Sequence, residues 1–147
     1  MPIAQPTVSL EEARTIIAAA LAKAAELKLK PLGVAVLDAA GHLKAFERQD
    51  GATHMRMEIA MGKAHGAVAL GMGSRAIFKR AQEQAYFVSA ANTLARGLLV
   101  PVPGGVLIRD AAGLVVGAVG ISGDTSDQDE ACAIAGIQAV GLAADPG

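Results

Sequence analysis

Apolar residues at helical spacing begin the regular part of the chain. Over residues 10–27 they recur every three or four positions, which places them on one face of a helix. Ser9 and Glu12 match the capping box, in which each side chain binds the other residue's free backbone amide. These patterns predict a helix from about Ser9 to Leu29, ended by Pro31.

Two pairs of short apolar segments indicate β-hairpins. The segments are residues 32–38 and 42–48 in the first pair, and residues 106–109 and 114–121 in the second. Within each pair, the two segments are joined by an Asp-Ala-Ala-Gly turn. Aspartate and glycine are residues that tight turns favour. An internal duplication would explain this repeat, and so would two independent hairpins with the same turn chemistry.

Helical spacing returns after each hairpin. The predicted helices cover residues 55–71, 74–84, 86–94 and 126–142. Ser126 with Asp129 fits a cap at the start of the last helix, where acidic side chains also suit the helix dipole. Residues 145–147 are predicted to form a loose tail.

The order of helix, hairpin, helices, hairpin and helix indicates an α/β (α+β) fold. Hairpins make the sheet mainly antiparallel, and long amphipathic helices cover it in two or three layers. No linker or low-complexity segment interrupts the chain, so we predict that residues 1–147 form a single domain.

Composition indicates that part of the surface is buried against other copies of the chain. Hydrophobic residues make up 52% of the sequence, whereas charged residues make up only 18%, below the roughly 25% usual for soluble domains. A domain of this size has a large surface that needs polar groups. We therefore predict a homo-oligomer.

Charge and hydropathy argue against two classes of partner. The net charge is −1 and no basic stripe is present, so we expect no binding to nucleic acid. The sequence has no signal-peptide pattern at its start and no uncharged apolar run of about 18 residues. We therefore expect no membrane partner and a cytoplasmic location. The single cysteine, Cys132, excludes an intrachain disulfide.

The three histidines, His42, His54 and His65, are candidates for ligation of a metal or for proton transfer. His65 follows Glu58 by seven residues and Met61 by four, so all three can share one helix face that meets a flat ligand. The alternative is a helical histidine that is hydrogen-bonded at a subunit contact. The spacing of the histidines and glutamates does not match a zinc site.

Three charged residues are further candidates. Arg48 could hold a carboxylate through two parallel hydrogen bonds, or it could pair with Asp50 to brace the loop after the second strand. Lys63 could act as an amine nucleophile if it were desolvated, and the alternative is a solvated or subunit-bridging lysine.

An ordered set of short motifs resembles the GlcG/HbpS family of haem-binding proteins, which is related to the C-terminal domain of PduO-type proteins. The resemblance spans about residues 9–143. Its motifs are VLDAAG at 36–41, RQDGA at 48–52, Ile59-Ala60 with Lys63-Ala64, PGG at 103–105, GAVGISG at 117–123 and DQDEA at 127–131.

The resemblance implies a profilin-like fold, in which helices flank an antiparallel sheet of about five strands. It also implies ring-shaped homo-oligomers, and some members of the family bind or degrade haem. One departure from the family pattern is His65, which stands close to a position where a small or hydroxyl residue is expected. That histidine either adds an iron ligand or indicates that the family's mode of haem binding does not apply.

Two functions follow from these candidates, and whether the protein is an enzyme stays open. In the first it binds haem or a similar tetrapyrrole and contributes to haem turnover. The site would lie between the central helix and the Pro103-Gly104-Gly105 turn, within one subunit or across a subunit contact, with Met61 and Arg48 as further contacts and His65 as the iron ligand. In the second it is a catabolic enzyme for a small organic acid, which works by proton transfer, isomerisation or hydrolysis. Arg48 would then anchor the acid, and His54, His65 or Asp50 would be the base. A ring protein without a ligand is a third interpretation.

Overall fold

The computed structural model describes residues 4–147, in which five helices and five strands are present. In chain order they are α1 (Leu10–Glu26), β1 (Gly33–Asp38), β2 (Leu43–Arg48), α2 (Met55–Leu70), α3 (Ser74–Glu83), α4 (Ala85–Leu94), β3 (Gly105–Arg109), β4 (Val115–Ser122), α5 (Ser126–Ala139) and β5 (Ala143–Asp145). The predicted fold class is confirmed, and Ser9 begins α1 with the expected capping box.

The five strands form one antiparallel sheet in the order β2-β1-β4-β3-β5. β1 and β4 lie in its centre and pair from Gly33 with Ser122 to Asp38 with Gly117. β2 and β5 are the edges. The expected profilin-like arrangement of about five antiparallel strands flanked by helices is therefore confirmed.

The turns of the two hairpins are built in the same way. In each, the aspartate Oδ1 accepts hydrogen bonds of 3.0 Å from the backbone N–H groups two and four residues later. Gly41 and Gly113 close the turns with φ of 85° and 82°, a left-handed conformation that favours glycine. The two hairpins are placed differently in the sheet. In the first hairpin the first strand, β1, is central, whereas in the second hairpin the second strand, β4, is central. The two turns therefore share their chemistry although their hairpins occupy different places in the sheet.

Helices cover both faces of the sheet and make three layers. α1 and α5 pack together on one face, where alternate strand residues such as Val34, Val36 and Ile121 form the larger core. α2 packs on the other face, where Leu37, Leu107 and Ala118 meet Ala64 and Ala67. None of the helices in the described part of the chain is both long and apolar enough to cross a membrane.

The end of the chain differs from two predictions. Ala143–Asp145 pairs with β3 as a fifth strand, so the prediction of a loose tail over residues 145–147 is wrong at Asp145. A strand of three residues is too short to show an alternating pattern. The predicted cap of α5 is also wrong, because the Thr125 hydroxyl, and not Ser126, accepts from the backbone N–H of Gln128 at 3.3 Å. Asp129 is buried inside the fold.

Candidate functional site

A single hydrogen bond orients the half-buried ring of His65 on α2. Its Nδ1 lies 2.9 Å from the carbonyl oxygen of Leu98. Because a carbonyl only accepts, Nδ1 carries the proton and Nε2 of the neutral ring keeps its lone pair. Within residues 4–147, Nε2 forms no hydrogen bond. A backbone carbonyl that fixes one ring nitrogen is the arrangement that commonly orients metal-binding histidines.

An apolar groove of about 290 Å³ lies beside His65, between α2 and α4. Its lining residues are His65, Ala69, Leu70, Ala91, Leu94, Ala95 and Leu99. Apart from the histidine, this lining contains only aliphatic side chains. The groove therefore combines an apolar wall with one histidine, and small-molecule and cofactor sites commonly pair an apolar lining with a few polar groups.

A glycine keeps the space next to the His65 ring open. A Cβ atom at Gly41 would lie 3.6 Å from Cδ2 and 4.0 Å from Nε2 of His65. Any larger side chain in this hairpin turn would therefore stand beside the free nitrogen. Met61, one helical turn before His65, is half-buried, and Glu58 is exposed. Neither of these two lines the groove.

Arg48 and Asp50 lie in a different place, a polar surface depression of about 500 Å³. Its lining residues are Leu29, Pro31, Arg48, Gln49 and Asp50. The Arg48 guanidinium donates to the carbonyl oxygen of Ala52 through Nη1 at 2.5 Å. Among the described residues Arg48 forms no ion pair with Asp50, so the Arg–Asp brace, one of the two alternatives for Arg48, does not form, and the guanidinium bonds to the backbone instead.

The other two histidines are exposed and stand apart from that depression. His54 precedes the first turn of α2 and makes no capping hydrogen bond with its side chain. His42 follows the Gly41 turn. The structure therefore brings neither histidine next to Arg48 in the depression that Arg48 and Asp50 line.

Lys63 is buried, and the expectation of a solvated or subunit-bridging lysine is wrong. Its Nζ donates to the carbonyl oxygen of Ile121 at 2.8 Å and to Asp129 Oδ2 at 3.1 Å. Burial lowers the pKa of Lys63, and the nearby Asp129 carboxylate opposes that shift. Both contacts of the Lys63 Nζ described above are made inside the fold, and they are those of a structural ion pair.

The Pro103-Gly104-Gly105 turn packs directly onto α2. A Cβ at Gly104 would lie 2.8 Å from Lys63 Nζ, and one at Gly105 would lie 2.2 Å from the Lys63 carbonyl oxygen. The Gly105 N–H also donates to the Ser74 hydroxyl at 2.7 Å. No space for a flat ligand remains between this turn and the central helix, where we had expected the pocket.

The predicted site residues therefore do not form one site. His65 lines the α2–α4 groove, Arg48 and Asp50 line the polar depression, and Lys63 with the glycine turn is packed in the interior. Pro103 lines a further small depression of about 240 Å³ on the outer side of the turn, beside Arg75 and Phe78.

Two features beside the His65 ring were missed from the sequence, the Leu98 carbonyl and the open space at Gly41. Gly62 and Gly66 were the signal for the first. They lie four residues apart on one face of α2, and Cβ atoms there would lie 2.6 Å from Val100 Cγ2 and 3.1 Å from Leu99 Cγ. This close approach brings the loop after α4 within reach of His65.

Comparison with known proteins identifies the relatives of the chain. The model of a family described as haem degrading protein HbpS-like matches residues 8–138. A relative in Citrobacter freundii is 32% identical over 123 residues, which are 84% of each chain. It is described as an uncharacterized 15.0 kDa protein in the dhaT–dhaS intergenic region.

Two solved structures superpose closely. Klebsiella pneumoniae protein ORFY has a TM-score of 0.84 at 27% identity, and the match covers 96% of this chain and 97% of the ORFY chain. A complex of PduOC with haem has a TM-score of 0.82 at 26% identity, and the match covers 92% of this chain and 96% of the PduOC chain. The whole fold described above is therefore shared with these proteins.

Proposed function

We propose that this chain, which belongs to the HbpS-like family, binds haem or a similar tetrapyrrole in the α2–α4 groove, with His65 as the iron ligand. The observation that carries the proposal is the hydrogen bond between His65 Nδ1 and the Leu98 carbonyl, which leaves Nε2 with a free lone pair. The haem complex of the similar protein PduOC supports the choice of ligand.

The residues of the groove fit a haem group. A haem macrocycle is flat and largely apolar, and the aliphatic lining offers it a matching wall. Neutral imidazole is a common axial ligand of haem iron, and the hydrogen bond to Leu98 holds the ring in one orientation. The missing side chain at Gly41 leaves room beside Nε2.

Haem, when bound, supplies redox and oxygen chemistry at its iron. The chain's own residues bind and orient the group. Leu98 holds the His65 ring, His65 offers the lone pair, and Leu70 and Leu99 exclude water from one side of the groove. Among residues 4–147, His65 is the one acid or base that lines this groove, which favours binding of haem over its chemical degradation by residues of the groove. A role in haem turnover stays a prediction.

Titration with hemin tests the proposal. We expect a saturable shift of the Soret band for the wild-type protein, and an altered Soret position with weaker binding for His65→Ala. His54→Ala is the matched control, because His54 is exposed and makes no capping hydrogen bond with its side chain. A linear absorbance rise without a plateau would contradict haem binding. Identical spectra for His65→Ala and the wild type would remove His65 as the ligand.

A second candidate function uses the polar depression at Arg48. The part of the Arg48 guanidinium that is not bonded to Ala52 could hold the carboxylate of a small organic acid, beside Asp50 as a possible base. NMR titration with small keto or unsaturated acids tests this candidate. We expect chemical-shift changes in the wild type that disappear in Arg48→Ala. They should persist in the control Arg14→Ala, which changes an exposed arginine on α1. Unchanged shifts in the wild type would contradict it.

Self-association into a homo-oligomeric ring is also part of the proposal. The low charge content of the sequence supports it, and so does the set of large apolar side chains exposed on the protomer, which includes Tyr86 and Leu94. The cytoplasmic location stays a prediction.

A further inference from the structure

Arg56 on α2 is a half-buried cation that no carboxylate of residues 4–147 neutralises. Its guanidinium donates through Nη1 to the Ser122 hydroxyl at 3.1 Å. Arg75 and Arg109, in contrast, each pair with a carboxylate. A guanidinium carries five N–H donors, and partial burial makes an unmatched charge costly. Arg56 therefore has donors and charge for an anion that the described part of the protomer does not supply.

Arg48 is a second such cation, and it lies at the same end of the sheet. Gly33 of β1 is opposite Arg48 on one side and opposite Ser122 on the other. Directly opposite residues project to the same face, so Arg48 and Ser122 flank Gly33 on one face of the sheet. A Cβ atom built at Gly33 would lie 3.3 Å from Arg56 Cβ, which places Arg56 over that glycine. Both arginines therefore border Gly33 on the α2 face.

The acidic residues next to Arg48 leave both positive charges in place. Glu47 is opposite Val34, a residue of the α1–α5 core, so the Glu47 side chain lies on the other face of the sheet. Asp50 lines the polar depression with Arg48, but within residues 4–147 it forms an ion pair with neither arginine. Two guanidinium groups with unused donors are suited to an anion that carries two negative groups.

The spacing of the two arginines favours two separate carboxylates over one phosphate. Arg48 belongs to β2, the Arg56 guanidinium is bonded to Ser122 on β4, and β1 lies between these strands. Neighbouring strands are about 4.8 Å apart, so the two anchoring points are separated by roughly 10 Å. A compact phosphate suits one guanidinium at this spacing, whereas a short dicarboxylate offers one carboxylate to each.

The polar depression of about 500 Å³ has room for the first carboxylate beside Arg48. Arg56 does not line this depression. The second carboxylate therefore has to extend from the depression past Gly33 to reach Arg56, which also requires an elongated ligand.

We propose that Arg48 and Arg56 together bind a small dicarboxylate, with one carboxylate at each guanidinium. The part of Arg48 rests on the second candidate function above, and Arg56 narrows that substrate class from small organic acids to dicarboxylates. Ser122 is a positioning residue, because its buried hydroxyl accepts from Arg56 and holds the guanidinium over β4. The His65 groove takes no part, so the result of the hemin titration does not bear on this site.

Calorimetric titration with two acids of equal chain length tests the proposal. We expect succinate to bind the wild type with saturation, at least about tenfold more tightly than butyrate, which lacks the second carboxylate. Arg56→Gln should lower the succinate affinity to that of butyrate and leave the butyrate affinity unchanged. Arg48→Gln should weaken the binding of both acids. The control Arg14→Gln changes an exposed arginine on α1 and should affect neither acid. Circular dichroism would establish that the variants keep the fold.

Four results would overturn the dicarboxylate site. Equal affinities of succinate and butyrate for the wild type would do so without any variant, and would leave the candidate function at Arg48 intact. Wild-type succinate affinity in Arg56→Gln would have the same meaning. Inorganic phosphate that binds more tightly than succinate would show that the ligand is not a dicarboxylate. Binding of neither acid would overturn both the dicarboxylate site and the candidate function at Arg48.

Discussion

Lys63 and Asp129 form an ion pair that is almost completely buried between α2 and α5. Nζ and Oδ2 are 3.1 Å apart, and the two side chains are only 3% and 2% exposed. The carboxylate also accepts the backbone N–H of Asp124 through Oδ1 at 3.0 Å. The pair therefore ties the central helix to the loop that begins α5.

Removal of one partner should destabilise the fold strongly. We expect Lys63→Met to lower the free energy of unfolding by about 3–5 kcal/mol, because it leaves a buried carboxylate without its counter-ion. The double variant Lys63→Met/Asp129→Leu should recover most of that loss. Urea unfolding measures both. The control is Lys23→Met, which removes the exposed Lys23–Glu26 pair and should cost about 0.5 kcal/mol or less. Equal losses at the two lysines would contradict a structural role for the buried pair.

The stability of Asp129→Asn should depend on pH in the alkaline range. Without the carboxylate, burial lowers the pKa of Lys63 unopposed by that anion. Between the folded-state pKa and the ordinary value of 10.5, the unfolded chain binds a proton on Lys63 that the folded chain does not. Stability therefore rises with pH in that window, by up to about 1.4 kcal/mol per pH unit.

The comparison is made by urea unfolding at a series of pH values. The stability deficit of Asp129→Asn relative to the wild type should shrink as pH rises. The reference is Lys63→Met/Asp129→Asn, which has no lysine at position 63, so the stability of Asp129→Asn should rise with pH relative to that of this double variant. A constant difference between these two variants would contradict a lowered Lys63 pKa in Asp129→Asn.

Cys132 should not react in the native protein. Its side chain is fully buried on α5, and burial raises the pKa of the thiol to about 11, so almost no thiolate is present at mildly alkaline pH. We expect no reaction with a disulfide reagent until a denaturant is added, and then one thiol per chain. Rapid labelling of the folded protein would indicate that the α1–α5 core opens easily.

A side chain at Gly41 should interfere with haem binding, whereas the same change at Gly113 should not. Both glycines close an Asp-Ala-Ala-Gly turn at nearly equal positive φ. A Cβ atom at Gly41 would lie beside the His65 ring, whereas a Cβ atom at Gly113 would have no other residue within 4 Å. Asparagine tolerates this backbone conformation better than most residues. Hemin affinity should therefore fall for Gly41→Asn and stay at the wild-type value for Gly113→Asn, with similar stability losses.

Much of the fold follows from the sequence because its local signals agree with its packing. The capping box at Ser9 and the Asp-Ala-Ala-Gly turns locate α1 and both hairpins to within a few residues. The capping residue of α5 was misplaced by one position, because Thr125, Ser126 and several acids adjoin one another. β5 could not be predicted, since its pairing with β3 is a contact made only in the folded chain.

The candidate site was predictable only in part. His65 was a candidate from its residue type, but its tautomer depends on the Leu98 carbonyl, which the folded loop brings from 33 residues away. The burial of Lys63 could not be read from its neighbours, because its partner Asp129 is 66 residues away. Arg48 and His65 are both plausible haem contacts by type, yet the fold places them in different depressions.

Chemical rescue of His65→Gly by free imidazole tests the proposed iron ligand most directly. If the His65 imidazole ligates the haem iron, the variant should bind hemin with an altered Soret band. Added imidazole should enter the space that the His65 ring left and restore the wild-type spectrum. The control His54→Gly should already show the wild-type spectrum, and added imidazole should leave that spectrum unchanged. A His65→Gly spectrum that equals the wild type before imidazole is added would contradict the central claim.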